Sequence, residues 1–210
     1  MHVNAQSLTL TEFIRVCTAW WMIETALVHS QGEAREGNLF ALRGKDATGI
    51  ILGFAADMSS VFSYTSRGMP RPMSENEYRY AVLNHAALQK FGSLEFRFMR
   101  GMSDPNEISF WAKALYTFVH AAKDIEVGEI VRLTGGTNLD RLHLLQLLFG
   151  EDGAAQVISR VGGEWSSLIE GQYQYGVLLD TSYDTALRKI ANGLKMGKNK
   201  YRFNVVEDDD

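Results

Sequence analysis

The segment 93–100 alternates between apolar and polar side chains, and this pattern constrains the fold more than any other stretch of the sequence. Apolar side chains fill every second position, namely Leu94, Phe96 and Phe98. A strand with this pattern directs these side chains to one face, and Glu95 and Arg97 to the opposite face. We therefore expect a sheet with one buried face and one polar face.

A second strand is predicted over residues 78–84, where Tyr78, Tyr80 and Val82 occupy alternate positions. The short connection to residue 93 can hold only a loop or a short helical turn. The two strands are therefore expected to pair in a curved, mainly antiparallel sheet. Short apolar runs at residues 49–54 and 61–64 predict one or two further strands in a region rich in loops.

Two helices are predicted on either side of these strands. Thr9 and Glu12 have the spacing of a capping box, which predicts a helix over residues 9–28. Asp104 and Pro105 suit the N-cap and the first turn of a second helix, over residues 106–123. Both helices have apolar residues at helical spacing, so we expect them to pack on the apolar face of the sheet and leave the polar face as the site.

The C-terminal part of the sequence reads as helical. Helical patterns occupy residues 139–149, 154–161, 164–171 and 185–194. The sequence therefore predicts an α+β fold. Residues 1–123 would form its α+β core, and residues 124–210 a helical region packed on the same domain.

Composition and charge exclude several classes of function. The chain of 210 residues has 21 basic and 25 acidic side chains, which is no electrostatic footprint for a nucleic-acid binder. Its apolar windows are too short to span a membrane, and its single cysteine rules out an intrachain disulfide. The first ten residues lack the pattern of a secretory signal, so we expect a cytoplasmic location without nucleic-acid or membrane partners.

Glu95 and Arg97 are the most informative polar pair. A carboxylate and a guanidinium on one face of a strand can hold a magnesium ion and a phosphate, because Mg²⁺ takes oxygen ligands and Arg forks onto phosphate oxygens. The alternative is an ordinary ion pair on a half-exposed sheet. From the alternation alone, the ion pair is the favoured interpretation.

Several fragments, taken in order, resemble the amidoligase family, whose members have the glutamine synthetase type of fold. The resemblance covers about residues 1–122. The fragments are His2-Val3, a capped helix containing Glu24, Arg35-x-x-Asn38-x-Phe40, Arg79-Tyr80-x-x-x-Asn84, and Gly92-Ser93-Leu94-Glu95-Phe96-Arg97 followed by the helix of Trp111. The Gly-x-x-Glu-Phe-Arg strand with its following helix is the most specific of them.

The resemblance implies an ATP-dependent carboxylate–amine ligase that forms amide bonds through an acyl phosphate. It implies ATP and Mg²⁺ as cofactors, and small-molecule or peptide carboxylates and amines as substrates. By this resemblance, His2 and Glu95 are metal ligands, and Arg97 and Arg79 are catalytic contacts to anions. The substrate or nucleotide contacts that it implies are Arg35, Asn38 and Asn84.

The family places a strand with paired glutamates upstream of its histidine motif. His2 already stands in that motif, so we expect the paired glutamates to come from a second polypeptide or a longer chain. The alternative is a non-catalytic structural or partner-binding protein derived from an amidoligase fold. Both hypotheses stay open at this point.

Overall fold

The alternating segment forms the middle strand of a small antiparallel sheet. The computed structural model describes residues 1–32, 42–65 and 80–195. Within them, β1 (His2–Asn4), β2 (Leu83–Asn84) and β3 (Ser93–Phe96) form a sheet of order β1-β3-β2. The helices are α1 (Leu10–His29), α2 (Thr48–Thr65), α3 (Ala87–Phe91), α4 (Pro105–Ala122), α5 (Val127–Gly135), α6 (Asn138–Val161), α7 (Trp165–Glu170) and α8 (Tyr173–Lys195). The fold is therefore α+β and mostly helical.

The apolar face of the sheet is covered by α1 and α4, as the sequence predicts. Leu94, Phe96 and Phe98 are fully buried. The ring of Trp20 in α1 lies edge-on to Phe96, with 4.8 Å between ring centroids, and Trp111 in α4 lies 4.9 Å from Phe98. Aromatic pairs at these distances and angles add to the free energy of burial.

Both helices begin where their capping residues predict. The Thr9 hydroxyl accepts from the Glu12 N–H while the Glu12 carboxylate accepts from the Thr9 N–H, which completes the capping box of α1. Asp104 accepts from the Asn106 N–H at the start of α4, and Pro105 fills its first turn. These bonds satisfy backbone donors that a helix leaves without partners at its first turn.

The prediction of strands at residues 49–54 and 61–64 is wrong, because both segments belong to α2. The buried residues of this helix recur at helical spacing: Ile50, Ile51, Phe54, Ala55 and Met58. Short apolar runs in a sequence do not separate a strand from a buried helix, and in the structure both runs lie in one helix of 18 residues. That length is far beyond an ordinary strand.

The second predicted strand is shorter than residues 78–84. Its ladder with β3 is antiparallel and consists of Leu83 and Asn84, while residues 78 and 79 lie outside the described part of the chain. The connection to β3 holds the short helix α3, as its length allows. Likewise, β3 ends at Phe96 rather than at residue 100.

The C-terminal helices differ from the sequence pattern in two ways, the presence of α5 and the start of α8. The predicted segments 139–149 and 154–161 are confirmed as the two helical parts of α6, which non-helical backbone at Gly150, with φ of +74°, separates. Helix α5 was not predicted. Helix α8 begins at Tyr173, well before residue 185, and the glycine that obscures its pattern, Gly176, is where a Cβ would meet the Met22 sulfur at 2.9 Å.

The C-terminal helices pack on the same core as the sheet. Helix α1 is central and contacts α4, α5, α6, α7 and α8. Buried apolar residues from Val3 to Tyr183 form one contiguous cluster. The boundary at residue 123 stays a prediction. In the described ranges, no helix combines the length and the apolar character needed to cross a membrane.

Candidate functional site

Strand β3 brings residues from three separate parts of the chain into one row. Its register with β1 sets His2 opposite Glu95, and its register with β2 sets Asn84 opposite the same residue. Glu95 lies on the face opposite the buried phenylalanines, because side chains alternate along a strand. Arg97 follows the last residue of β3 and its guanidinium lies 2.8 Å from Oε2 of Glu95. The row His2, Glu95 and Asn84, together with Arg97, is named the polar row below.

The imidazole of His2 is held at one end of the polar row. Its Nδ1 forms a hydrogen bond of 2.9 Å with the hydroxyl of Ser93. Its Nε2 lies 3.9 Å from Oε1 of Glu95, and its ring meets the edge of Phe91, which is 60% exposed. The second nitrogen is thus directed toward the carboxylate at a partly exposed surface.

The carboxylate of Glu95 is the centre of the polar row. Its Oε2 accepts hydrogen bonds from Asn84 Nδ2 at 2.7 Å and from the Arg97 guanidinium at 2.8 Å. Partial burial pushes the pKa of Glu95 upward, but the hydrogen bonds and positive charge of its neighbours outweigh burial and leave this pKa below its usual range. Glu95 is therefore ionised near neutral pH, as a metal or ammonium ligand must be.

Asn84 donates its hydrogen bond to Glu95 from a buried position. Its side chain is buried, and its Oδ1 accepts a hydrogen bond from the Ala86 N–H. This bond identifies the amide oxygen and leaves Nδ2 as the group that donates to Glu95. In this structure Asn84 positions the carboxylate.

The backbone at position 92, directly before β3, requires a glycine. Its φ is +65°, in the left-handed region that residues with a Cβ rarely adopt. A Cβ at this position would also lie 2.3 Å from the Gln6 side chain. Since the Gly92 carbonyl accepts from the Ala5 N–H, this close approach helps to fix the register that sets His2 opposite Glu95.

An open groove of about 640 Å³ adjoins the Arg97 end of the polar row. It lies between the segment that follows β3 and the first turns of α4. The residues that line it include Met1, Arg97, Met99, Arg100, Met102 and Ile108. Its volume is in the range typical of sites for small molecules.

The polar row fits a magnesium ion only in part. Among the described residues, no group of three or more His, Cys, Asp or Glu side chains is placed to hold a metal. Mg²⁺ is commonly bound by one or two carboxylates together with substrate phosphates, and Glu95 suits that role. The nitrogen of His2 suits Mg²⁺ less well, because this ion prefers oxygen ligands.

Four of the seven predicted site residues therefore lie together: His2, Asn84, Glu95 and Arg97. The other three, Arg35, Asn38 and Arg79, lie outside the described residues. Sequence reasoning missed Ser93 and Phe91 as neighbours of His2. The alternation that puts Glu95 and Arg97 on the polar face also puts Ser93 there, so its place beside His2 could have been predicted. No pattern in the sequence predicts the contact of Phe91 with His2.

Comparisons with known proteins leave the site to be interpreted from its own geometry. No protein-family model matches the sequence, and neither a curated protein nor a solved structure matches the chain. The chemistry of the polar row therefore has to be judged from its distances, burial and charge.

Proposed function

We propose that this protein is an ATP-dependent carboxylate–amine ligase of the amidoligase type, with a partial glutamine synthetase-like fold and its site on the polar row. The observation that supports the proposal is the register of β3. It aligns His2 and Asn84 with Glu95, and Arg97, directly after β3, donates a hydrogen bond to the same carboxylate. These are the residues through which the family resemblance assigns metal and anion binding.

The proposed reaction forms an amide bond in two steps. A substrate carboxylate oxygen attacks the γ-phosphorus of ATP, which releases ADP and leaves an acyl phosphate. The amine then attacks the acyl carbon, inorganic phosphate departs, and the nitrogen loses a proton. This order is needed because a carboxylate is a poor electrophile until it is phosphorylated.

The main task of the site residues would be to bind the negatively charged phosphate and carboxylate groups of the substrates. Arg97 would contact phosphate or carboxylate oxygens, with Arg79 and Arg35 as further anion contacts and Asn38 as a supporting polar group. Glu95 would bind Mg²⁺ on the nucleotide, and His2 would complete that side of the site. When bound, the metal neutralises charge on the transferring phosphoryl group.

The open edge of the sheet suits the arrival of further ligands. Met1 exchanges backbone hydrogen bonds with Phe96, and the Ala5 N–H donates to Gly92. In an antiparallel ladder the intervening residues, His2 and Asn4, then direct their backbone groups away from β3. In the described ranges no strand pairs with β1 on that side. We propose that a strand with paired glutamates, from a second polypeptide or a longer chain, adds there.

Calorimetric titration with MgATP tests this function. The account predicts weak binding by the chain alone, because the polar row offers one carboxylate, and loss of that binding in Glu95→Gln and in Arg97→Met. The control is Arg132→Met, which removes an exposed arginine paired with Glu129 on α5. Equal binding by wild type and both site variants would reject the site.

A non-catalytic, partner-binding protein is the second candidate. The observation that favours it is that Arg97 and Asn84 already hold Oε2 of Glu95, as a structural ion pair would. Such a protein would bind a partner strand at β1 without binding MgATP. Nucleotide titration in the presence of a strand peptide with paired glutamates separates the two candidates, since only the ligase gains nucleotide affinity.

A further inference from the structure

The groove beside the polar row combines two kinds of surface. Its lining includes two arginines, Arg97 and Arg100. Its lining also includes the apolar residues Met99, Met102 and Ile108, and Ile108 is 41% exposed although it is large and apolar. An exposed apolar surface next to two cations is complementary to a molecule with one charged end and one apolar body.

The contact of Arg97 with Glu95 and the place of Ile108 in α4 set the orientation of such a molecule. Arg97 belongs both to the polar row and to the groove, where it also pairs with Glu95 at 2.8 Å. A carboxylate bound at the two arginines would therefore lie at the polar row, and its apolar part would extend toward α4. Methionine side chains are flexible and polarizable, so they adapt to unbranched chains of different length.

We infer that the groove binds an amphipathic monocarboxylate, with an aliphatic chain of several carbons as its body. This inference rests on the proposed ligase function, because it names the class of acid that the polar row would activate. The open shape of the groove leaves part of the chain in water. Each added methylene is expected to strengthen binding about two- to fourfold, fourfold being the effect of burying a methylene completely, about 0.8 kcal/mol.

The test is a titration of butanoate, hexanoate and octanoate, without nucleotide, followed by NMR of protein labelled with ¹³C at the methionine methyl groups. The signals of Met99 and Met102 report the groove. Met22 and Met58 are buried in the core and serve as internal controls for the fold. We expect shifts in the first pair only, with affinity increasing along the series.

Variants test the contribution of the arginine side chains and that of the apolar side chains separately. Arg100→Gln should weaken all three acids by a similar factor, and Met102→Gln should reduce the dependence on chain length. Lys113→Gln, at an exposed position of α4, should change neither. The neutral alcohol 1-hexanol should bind more weakly than hexanoate.

Affinity that does not change with chain length, or hexanol that binds as tightly as hexanoate, would overturn the inference. Because these titrations contain no ATP, they fail or succeed separately from the ligase proposal. A chain that binds MgATP but shows no chain-length effect would keep the ligase function and lose only this class of substrate.

Discussion

Nε2 of His2 lies 3.9 Å from Oε1 of Glu95, although the two residues are on strands far apart in sequence. Three features bring them together: the antiparallel register of β1 on β3, the close approach that Gly92 permits, and the bond between His2 and Ser93. The polar row is thus a product of the sheet, and its stability depends on the aromatic layer beneath it.

Loss of Trp111 should destabilise that aromatic layer. The side chain is fully buried against Phe98, so Trp111→Ala leaves a cavity and should lower the free energy of unfolding by about 3 to 5 kcal/mol. Urea denaturation measures the change. Tyr116→Ala, at a 59% exposed position of the same helix, is the control. A loss below about 1 kcal/mol for Trp111→Ala would show that the residue is peripheral.

Glu24 should make stability decrease with rising pH. Its carboxylate is buried in α1 and accepts from the Trp20 indole N–H at 2.9 Å and from the Gly44 N–H at 2.7 Å. Burial outweighs these bonds and raises the pKa of Glu24 from 4.5 to about 8. The folded state therefore holds a proton that the unfolded state releases, and stability falls between about pH 4.5 and 8, by up to about 1.4 kcal/mol per unit.

Glu24→Gln removes this ionisation while it keeps the size of the side chain. Urea denaturation of wild type and variant at pH 5, 6, 7 and 8 gives the difference in unfolding free energy. We expect the variant to gain stability relative to wild type as the pH rises. Two parallel profiles would contradict the assignment.

His85 should have the opposite effect at low pH. It is fully buried, with the rings of Phe13 and Phe54 within 6 Å, and burial lowers its pKa from 6.5 to about 3. Below pH 6.5 this histidine binds a proton in the unfolded chain but stays neutral in the folded chain. The free energy of unfolding therefore decreases as the pH falls from about 6.5 toward 3. His85→Leu should flatten that part of the profile. An unchanged slope in His85→Leu would refute the prediction.

Arg141 should hold the C-terminal helices together. Its buried guanidinium donates to the carbonyls of Thr134 and Gly136 and to the side chains of Asn138 and Ser166, which joins α5, α6 and α7. Arg141→Met leaves these acceptors without their donor and should cost about 3 kcal/mol. The exposed Arg132→Met should show no measurable change in the same denaturation experiment. Equal stability of both variants would contradict this role.

The parts of the fold that could be predicted from the sequence are those governed by local rules. The capping residues at Thr9 and Asp104 give the starts of two helices, and the alternation around Phe96 gives the two faces of the sheet. Helix α2 could not be separated from strands, because its apolar runs are short and interrupted by small residues. Gly176 likewise interrupts the helical pattern near the start of α8. A glycine stands there because a Cβ would lie too close to Met22.

Local patterns predict the candidate site only within residues 93–97, whereas the prediction that His2 lies beside them came from the family resemblance. Alternation puts Glu95 and Arg97 on one face without knowledge of the remaining chain. The position of His2 beside them depends on strand register, which is a long-range property that local patterns do not determine. The contact of Phe91 with His2 depends on the turn of α3 and had no signal in the sequence.

Binding of a metal–nucleotide complex at the polar row can be followed with Mn²⁺ in place of Mg²⁺. Paramagnetic Mn²⁺ broadens the NMR signals of nearby protons and so detects weak binding. The histidine ring signals provide the readout, with exposed His120 as the internal control, roughly 18 Å along α4 from Ile108. We predict that Mn²⁺ with ATP broadens the His2 signal, leaves the His120 signal sharp, and has no effect on His2 in Glu95→Gln. A His2 signal that stays sharp, or that broadens equally in Glu95→Gln, would contradict the account.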